Sequence, residues 1–579
     1  MKKLLTFTLI IVTAVFLGAC SGGGGTSNHY YGGDDNSGGG DNGGGDNGDT
    51  PDPTDPDPSG GFATKIDHQF SGGLSTKAII LTNLGTDDEN ITVALNQPSG
   101  AVVSKLADEP MFSIYDGSSS ASWCTPERCL DRCEINSNGV VTLSQHASCT
   151  IYINAKSNSS TVGTSAFGSL IFSDQFENSH TYELKNTEAL YVGGDFTSVE
   201  NSLASNLAQW NGSSWNVVGS GISNGVIHAV AVDPKTGVLC IGGQFSHAGN
   251  VSGTENIACF NGNQWYALGN GVKGIVRAIA FDEDNGDIYV GGGFNIDNVP
   301  GATGIARWDS ALERWEALGN GIDLGSGASN GGEGPAYVCA LAIDSVNKSL
   351  YLGGNFGSPS GDNVNHMANW NIENASWSSM QDGDLEVQMY MDDDRCKIVG
   401  LVFDPDKEQL YVAGQYFISD DPEDLFTPDL RRLVVWDVNA GEWLAAQAFE
   451  EAGINSIFFD KEHRKLYLAG DFSIYFDRFA VYDMDAGSLE AVDTLIDLDT
   501  IRRDNEFLGS WIHTVFVDSD GSVTFGGQFN QIENNDAPYI AGFDALRSYT
   551  LGNRLAEEGP NNGVYALEKA NELTLTLED

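Results

Sequence analysis

One short segment recurs along the last two thirds of the chain and constrains the fold more than any other feature. It reads Leu190-Tyr191-Val192-Gly193-Gly194-Asp195-Phe196, then Cys240-Ile241-Gly242-Gly243-Gln244-Phe245, Tyr289-Val290-Gly291-Gly292-Gly293-Phe294 and Tyr351-Leu352-Gly353-Gly354-Asn355-Phe356. Three diverged copies follow, Tyr411-Val412-Ala413-Gly414-Gln415-Tyr416, Tyr467-Leu468-Ala469-Gly470-Asp471-Phe472 and Phe525-Gly526-Gly527-Gln528-Phe529. The closing aromatic steps by 49, 49, 62, 60, 56 and 57 residues. Seven copies at this period are one supersecondary unit used repeatedly, with length variation left to the connections.

Each full unit reads as four strands. The first is typified by Val226 to Asp233, and the second carries the double glycine. The third carries Ala208-Gln209-Trp210-Asn211 or Ala306-Arg307-Trp308-Asp309, and the fourth Trp215 to Gly219 or Trp315 to Gly319. Four strands per repeat of about 50 residues is the pattern of a β-propeller, in which stacking buries faces that one unit leaves open. Paired glycines allow close backbone approach or positive φ. Nine of the eleven tryptophans fall at third- or fourth-strand positions, where they are expected to fill the wedges between units rather than form a sugar platform.

These motifs resemble the kelch-related repeats of fungal cortical polarity-marker proteins and of many bacterial surface proteins, over about residues 188 to 551. The resemblance implies a propeller and a surface location, and it carries no catalytic residues. The tail offers Val564-Tyr565-Ala566-Leu567 as a first strand and Glu572 to Leu577 as a second. The favoured closure has the tail completing the first unit, with an irregular extra unit as the alternative.

The N-terminus has its own signature. Met1-Lys2-Lys3 precedes an apolar run from Leu4 to Leu17, too short for a comfortable membrane span and fitted to a secretion signal. Leu17-Gly18-Ala19-Cys20 resembles the lipobox of bacterial lipoproteins, which implies cleavage before Cys20, diacylglycerol (with palmitate-class chains) on its sulfur and anchoring by several acyl chains. Ser21 and Gly22 follow without an Asp, which by resemblance to enterobacterial sorting favours the outer membrane. Residues 21–62 are nearly all Gly, Asp, Asn, Ser, Pro and Thr, and read as a flexible tether with a reach of about 35 Å. Calcium is compatible with these Asp-Asn-Gly runs, but no regular ligand loop places it.

Residues 63–187 read as a β-sandwich of short strands, among them Ala78 to Thr82, Ile91 to Leu95, Val140 to Leu143, Cys149 to Ile153 and Gly168 to Phe172. The stretches Leu81 to Thr86, Ala147 to Ile151 and Gly168-Ser169-Leu170 resemble the Hydin-like immunoglobulin-type domains of bacterial surface proteins, which implies a spacer or adhesive module. Cys124, Cys129, Cys133 and Cys149 are expected to form disulfides, one of the loop cysteines stapling to Cys149, with the pairing left open among three. In the repeats, Cys240 and Cys259 fall on neighbouring strands and form a candidate cross-strand disulfide, with Cys339 and Cys396 unassigned.

Aligned first strands place His228, Arg277, Cys339, Val399, Asn455 and His513 at one repeat position, matched by Tyr565 in the tail. In a propeller this position lines the central channel, so His228, Arg277, Asn455 and His513 form the candidate binding ring. Asp233, Asp282, Asp344, Asp404, Asp460 and Asp518 recur after the first strand and read as turn caps rather than metal ligands. Serine-nucleophile and zinc-helix motifs are absent, and no catalytic or metal site is assigned.

Acidic residues number 80 against 29 basic, for a net charge of -51, which argues against nucleic acid as a partner. The sequence therefore predicts an all-β chain: signal 1–20, tether 21–62, immunoglobulin-like sandwich 63–187 and seven-bladed propeller 188–579. The expected role is a surface-exposed outer-membrane lipoprotein that binds or adheres to a protein or glycan. A propeller hydrolase or oxidase and an envelope assembly scaffold are the alternatives.

Overall fold

A computed structural model describes most of residues 62–577. Outside its described residues lie 1–61, 97–111, 115–131, 323–336, 357–365, 420–432, 445–453, 471–478, 491–510 and 551–562, with shorter breaks elsewhere. Cys20, the tether, Cys124, Cys129 and the long insertion 323–336 thus fall outside the description. The described residues contain strands and turns and no helix.

Repetition in the sequence becomes repetition of sheets. Six antiparallel sheets each take four strands. The first two strands of each are Ile222–Val232 with Leu239–Ala248, Lys273–Phe281 with Ile288–Asn295, Tyr337–Asp344 with Ser349–Asn355, Ile398–Asp404 with Gln409–Gly414, Ile454–Asp460 with Lys465–Gly470, and Trp511–Val517 with Val523–Gln528. A further set of four, first in chain order, joins Gly563–Leu577, Ser179–Asp195, Leu207–Trp210 and Trp215–Val217. We call the leading strand of each set its inner strand. Inner strands contact one another in succession from Ile222–Val232 to Trp511–Val517. The last contacts Gly563–Leu577, which in turn contacts Ile222–Val232.

The first glycine of each pair explains how closely the sheets stack. A Cβ on Gly193 would come 2.7 Å from Ile227 of the next sheet, and one on Gly291 2.6 Å from Val338. The same holds for Gly353 against Ile398 at 2.4 Å and Gly526 against Val564 at 2.4 Å. A β-branched side chain of the following inner strand fills the space that each glycine leaves. At the other edge, aromatic residues pair across the third and fourth strands. Trp210 faces Trp215, Trp308 faces Trp315, Trp370 faces Trp377 and Trp436 faces Trp443, with ring centroids 4.9 to 5.3 Å apart. Trp315 also donates its indole N–H to the Leu268 carbonyl of the preceding sheet at 2.9 Å. Most of these rings are buried, so the tryptophans act as packing wedges.

Ahead of the repeats, two antiparallel sheets share one apolar core. One has the order Phe62–Ile66, Thr76–Asn83, Ser148–Ala155, Phe112–Ile114, and the other runs Val140–Leu143, Glu89–Asn96, Ser165–Ser173, Ser179–Asp195. Ile79, Leu81, Ile151 and Ile153 of the first meet Ile91, Val141, Leu170 and Phe172 of the second. Asn83 pins the turn after its strand. Its amide donates to the carbonyls of Asp87 and Leu143, and its Oδ1 accepts from the Gly85 N–H. Cys133 is bonded to Cys149.

Two features were not visible in the sequence pattern. Ser179–Asp195 is one strand that crosses position 187 without interruption, and the tail strand Gly563–Leu577 pairs with it from Asp195 to Tyr182. Glu572 to Leu577 is therefore no second strand of a repeat but a continuation of the inner one, ending against the first core through Leu575. In addition, the Leu74 N–H donates to the Gly237 carbonyl at 2.8 Å, and the Val162 N–H to the Asp518 carboxylate at 2.6 Å. The first region is thereby tied to the inner hairpins of two repeat sheets.

Candidate functional site

In every inner strand the ladder slips by one residue at one place. The slips lie between Ile227 and Ala229, Val276 and Ala278, Val338 and Ala340, Ile398 and Gly400, Ile454 and Ser456, Ile512 and Thr514, and Val564 and Ala566. The residues left over are His228, Arg277, Cys339, Val399, Asn455, His513 and Tyr565, the same seven that align by sequence. Each is thus the extra residue of a β-bulge, a device that re-aims a side chain out of the regular alternation. The second glycine of the motif makes the bulge possible. A Cβ on Gly243 would come 2.0 Å from the Val226 carbonyl oxygen, and one on Gly292 2.0 Å from that of Ile275. On Gly354 it would come 2.1 Å from that of Tyr337.

Four of the seven positions act on one another. His513 and His228 flank Tyr565, with ring centroids 4.9 and 5.5 Å from it. The Tyr565 hydroxyl accepts from the Gln528 amide at 3.2 Å. The Arg277 guanidinium carbon sits 4.4 Å from the centre of the Tyr337 ring, a cation–π contact. Arg277 also interacts with the Tyr337 and Tyr565 hydroxyls, and burial lowers its pKa. Burial likewise pushes the His228 imidazole down to about 3, helped by the nearby positive charges of Arg277 and His513, so His228 is neutral at pH 7.

The remaining predicted members differ. Asn455 is the bulged residue of the strand Ile454–Asp460, the fifth of the seven slips. Cys339 is bonded to Cys396, which fixes its inner strand to the chain entering the next sheet. Cys240 is bonded to Cys259, directly across the strand pair.

Two further residues stand out on the inner strands that carry these positions. Tyr337, two residues before its bulge, is aromatic where the second and third sheets have Val226 and Ile275, and that alignment was the available signal. Glu568 lies three residues past Tyr565, where the other inner strands have Ala231, Ala280, Ala342, Val402, Phe458 and Phe516. Burial pushes its carboxyl up to about 8, so it is largely protonated at neutral pH.

The six recurring aspartates cap hairpins. Asp233 accepts from the Lys235 N–H at 2.9 Å, Asp282 from Asp284 at 2.9 Å, and Asp344 from Val346 at 3.0 Å. Asp404 accepts from Asp406 at 3.0 Å, Asp460 from His463 at 3.0 Å, and Asp518 from Ser519 at 2.9 Å. Some also tie neighbouring sheets, as in the Asp404–Arg464 pair at 2.6 Å and the Asp518–Lys569 pair at 3.0 Å. Among the described residues no three His, Cys, Asp or Glu side chains converge as a metal site.

No family model matches the chain, and no curated protein matches it. Among solved structures it is similar to a chain of the nidogen/laminin complex, at 11% identity over 53% of this chain and 92% of that one, with a TM-score of 0.32. A likeness that slight transfers neither fold nor function.

Proposed function

We propose that this chain is a cell-envelope lipoprotein that binds a protein or glycan ligand at the mouth of a seven-bladed β-propeller. In this reading the seven sheets are the blades and residues 63–187 are an immunoglobulin-like sandwich that spaces the propeller from the membrane. The succession of inner-strand contacts, returning from Trp511–Val517 through Gly563–Leu577 to Ile222–Val232, supports a closed propeller. The shared core of the two leading sheets supports the sandwich. Leu17 to Cys20 supports the anchor, and the Gly-rich stretch behind it supports display at a distance from the membrane.

The observation that carries the binding role is the convergence of His228, Arg277 and His513 on Tyr565 and Tyr337. Such a set offers hydrogen-bond donors and flat aromatic faces, which suits recognition. It suits proton transfer poorly, because an imidazole titrating near 3 is a weak base at pH 7.

Glycan-array and pull-down binding, run beside a hydrolase and oxidase panel, test the reading. Binding without turnover, weakened by His228→Ala, is expected. Turnover abolished by the same change would replace it with the enzyme reading. Palmitate labelling lost in Cys20→Ser, and removal of the propeller by protease on intact cells, are expected for a surface lipoprotein. Protection from protease would favour a periplasm-facing scaffold.

A further inference from the structure

We infer that the cluster around Arg277 is a site for a carboxylate-bearing sugar, a hexuronate unit of an acidic glycan. This deepens the binding role proposed above and rests on it.

The starting point is a charge held by tyrosines and, among the described residues, by no carboxylate. Two other arginines of the repeats are matched by carboxylates. Arg307 contacts Asp287, Asp309 and Glu316, and Arg464 contacts Asp404, Asp406 and Asp485. Among the described residues no carboxylate acts on Arg277, and its buried Nε makes no hydrogen bond. Its named neighbours are two tyrosines, and its influence falls on a histidine. Asp195, at the end of the second strand that pairs with the tail, is shifted only by its own burial and does not neutralise it. In a chain with 80 acidic residues against 29 basic, an arginine on which no carboxylate acts among the described residues is a selective arrangement. A buried cation left uncompensated is costly, and a bound anion supplies what the fold withholds.

The same cluster says why charge alone is insufficient. A net charge of -51 repels simple anions from the surface, so a ligand must bring contacts beyond its charge. Tyr565 stands between two imidazoles, and Tyr337 holds the guanidinium from one side. Tyrosine hydroxyls and imidazoles beside a guanidinium fit a pyranose carrying a carboxylate, since the ring hydroxyls can hydrogen-bond to them while the carboxylate meets the guanidinium fork. Neutral His228 can donate or accept a hydrogen bond from a hydroxyl.

The test uses the full chain carrying Cys20→Ser, titrated calorimetrically with oligogalacturonate, with neutral oligogalactose and with sodium sulfate. Oligogalacturonate is expected to bind at least tenfold more tightly than the neutral sugar. Arg277→Gln is expected to lose at least tenfold of that affinity, and Arg277→Lys a smaller part. In the parent chain the Arg277 Nε–H resonance should shift on adding oligogalacturonate and stay in place on adding the neutral sugar. Equal binding of neutral and acidic sugars would overturn the acidic preference and leave the glycan-binding role standing. Sulfate competing as well as oligogalacturonate would reduce the site to a plain anion pocket and overturn the sugar class. Failure of every glycan and protein probe would remove the binding role itself, and this inference with it.

Discussion

Gly242 and Val276 belong to different sheets yet share one small volume: a Cβ built on the glycine would stand 2.2 Å from a γ-methyl of the valine. The valine precedes the bulged Arg277 on the next inner strand, so the contact sets both the spacing of the sheets and the aim of the cluster. Gly242→Ala is expected to cost about 1–3 kcal/mol by overpacking. Val276→Ala in the same chain should recover part of that cost, although alone it is destabilising. A double-mutant cycle by urea unfolding measures the coupling, and additive losses would show that the two residues do not compete for space.

This contact explains why the repeat was legible in the sequence. Each glycine of the pair answers a separate steric demand, one from the next sheet and one from the bulge in its own, so both recur. At Ala413 and Ala469 the first demand is relaxed, and a methyl packs with Ile454 and Ile512 in shared cores. Alignment of the first strands found the cluster positions, because the bulge falls at a constant distance before the capping aspartate. What sequence could not supply was tertiary. The Cys339–Cys396 bond joins residues 57 apart, and Cys396 lies outside the repeat pattern. The strand from Ser179 to Asp195 carries buried Asn186 and Glu188 in its middle, where a polar pair reads as a boundary. Tyr337 takes its place in the cluster from Arg277 of the preceding sheet, which lies over its ring.

The tail strand holds two cores at once. Val564 packs in a repeat-sheet cluster, whereas Leu575 packs against the core of the leading sheets. A stop codon after Asn571 removes the pairing of Glu572 to Leu577 with Tyr182 to Thr187 and spares the pairing from Gly563 to Asn571. The intact chain is expected to melt from 62 to 577 in one calorimetric transition. The truncated chain should show a second, earlier one for the leading sheets. An unchanged single transition would mean that the shared ribbon contributes little to their coupling.

Cys240 and Cys259 are fully buried and bonded within one sheet, 19 residues apart. Replacing both with Ala is expected to lower unfolding stability by about 2–4 kcal/mol, through release of the loop in the unfolded chain. The loss should be the same in oxidising and reducing buffer for the variant, whereas the parent should lose stability only when reduced. A parent insensitive to reductant under unfolding conditions would argue that this bond adds nothing.

Acid and alkali should weaken the fold through two different groups of the inner strands. Glu568 has an ordinary value of 4.5 and a folded value of about 8, so the folded chain keeps a proton that the unfolded chain gives up between them. Stability contributed by this group is therefore lost as pH rises from about 4.5 through 8. His228 goes the other way. Its ordinary value is 6.5 and its folded value about 3, so the unfolded chain takes up a proton that the fold refuses, and stability is lost as pH falls through that window. The two slopes oppose each other between 4.5 and 6.5, which places the optimum for this pair there. Glu568→Gln should flatten the decline between pH 6.5 and 8 and gain about 1–3 kcal/mol at the upper end. His228→Gln should flatten the decline between pH 6 and 4. Urea midpoints compared with the parent at each pH cancel the contribution of the many surface carboxylates. A Glu568→Gln slope equal to the parent's would place that carboxyl in water rather than in the interior of the repeats.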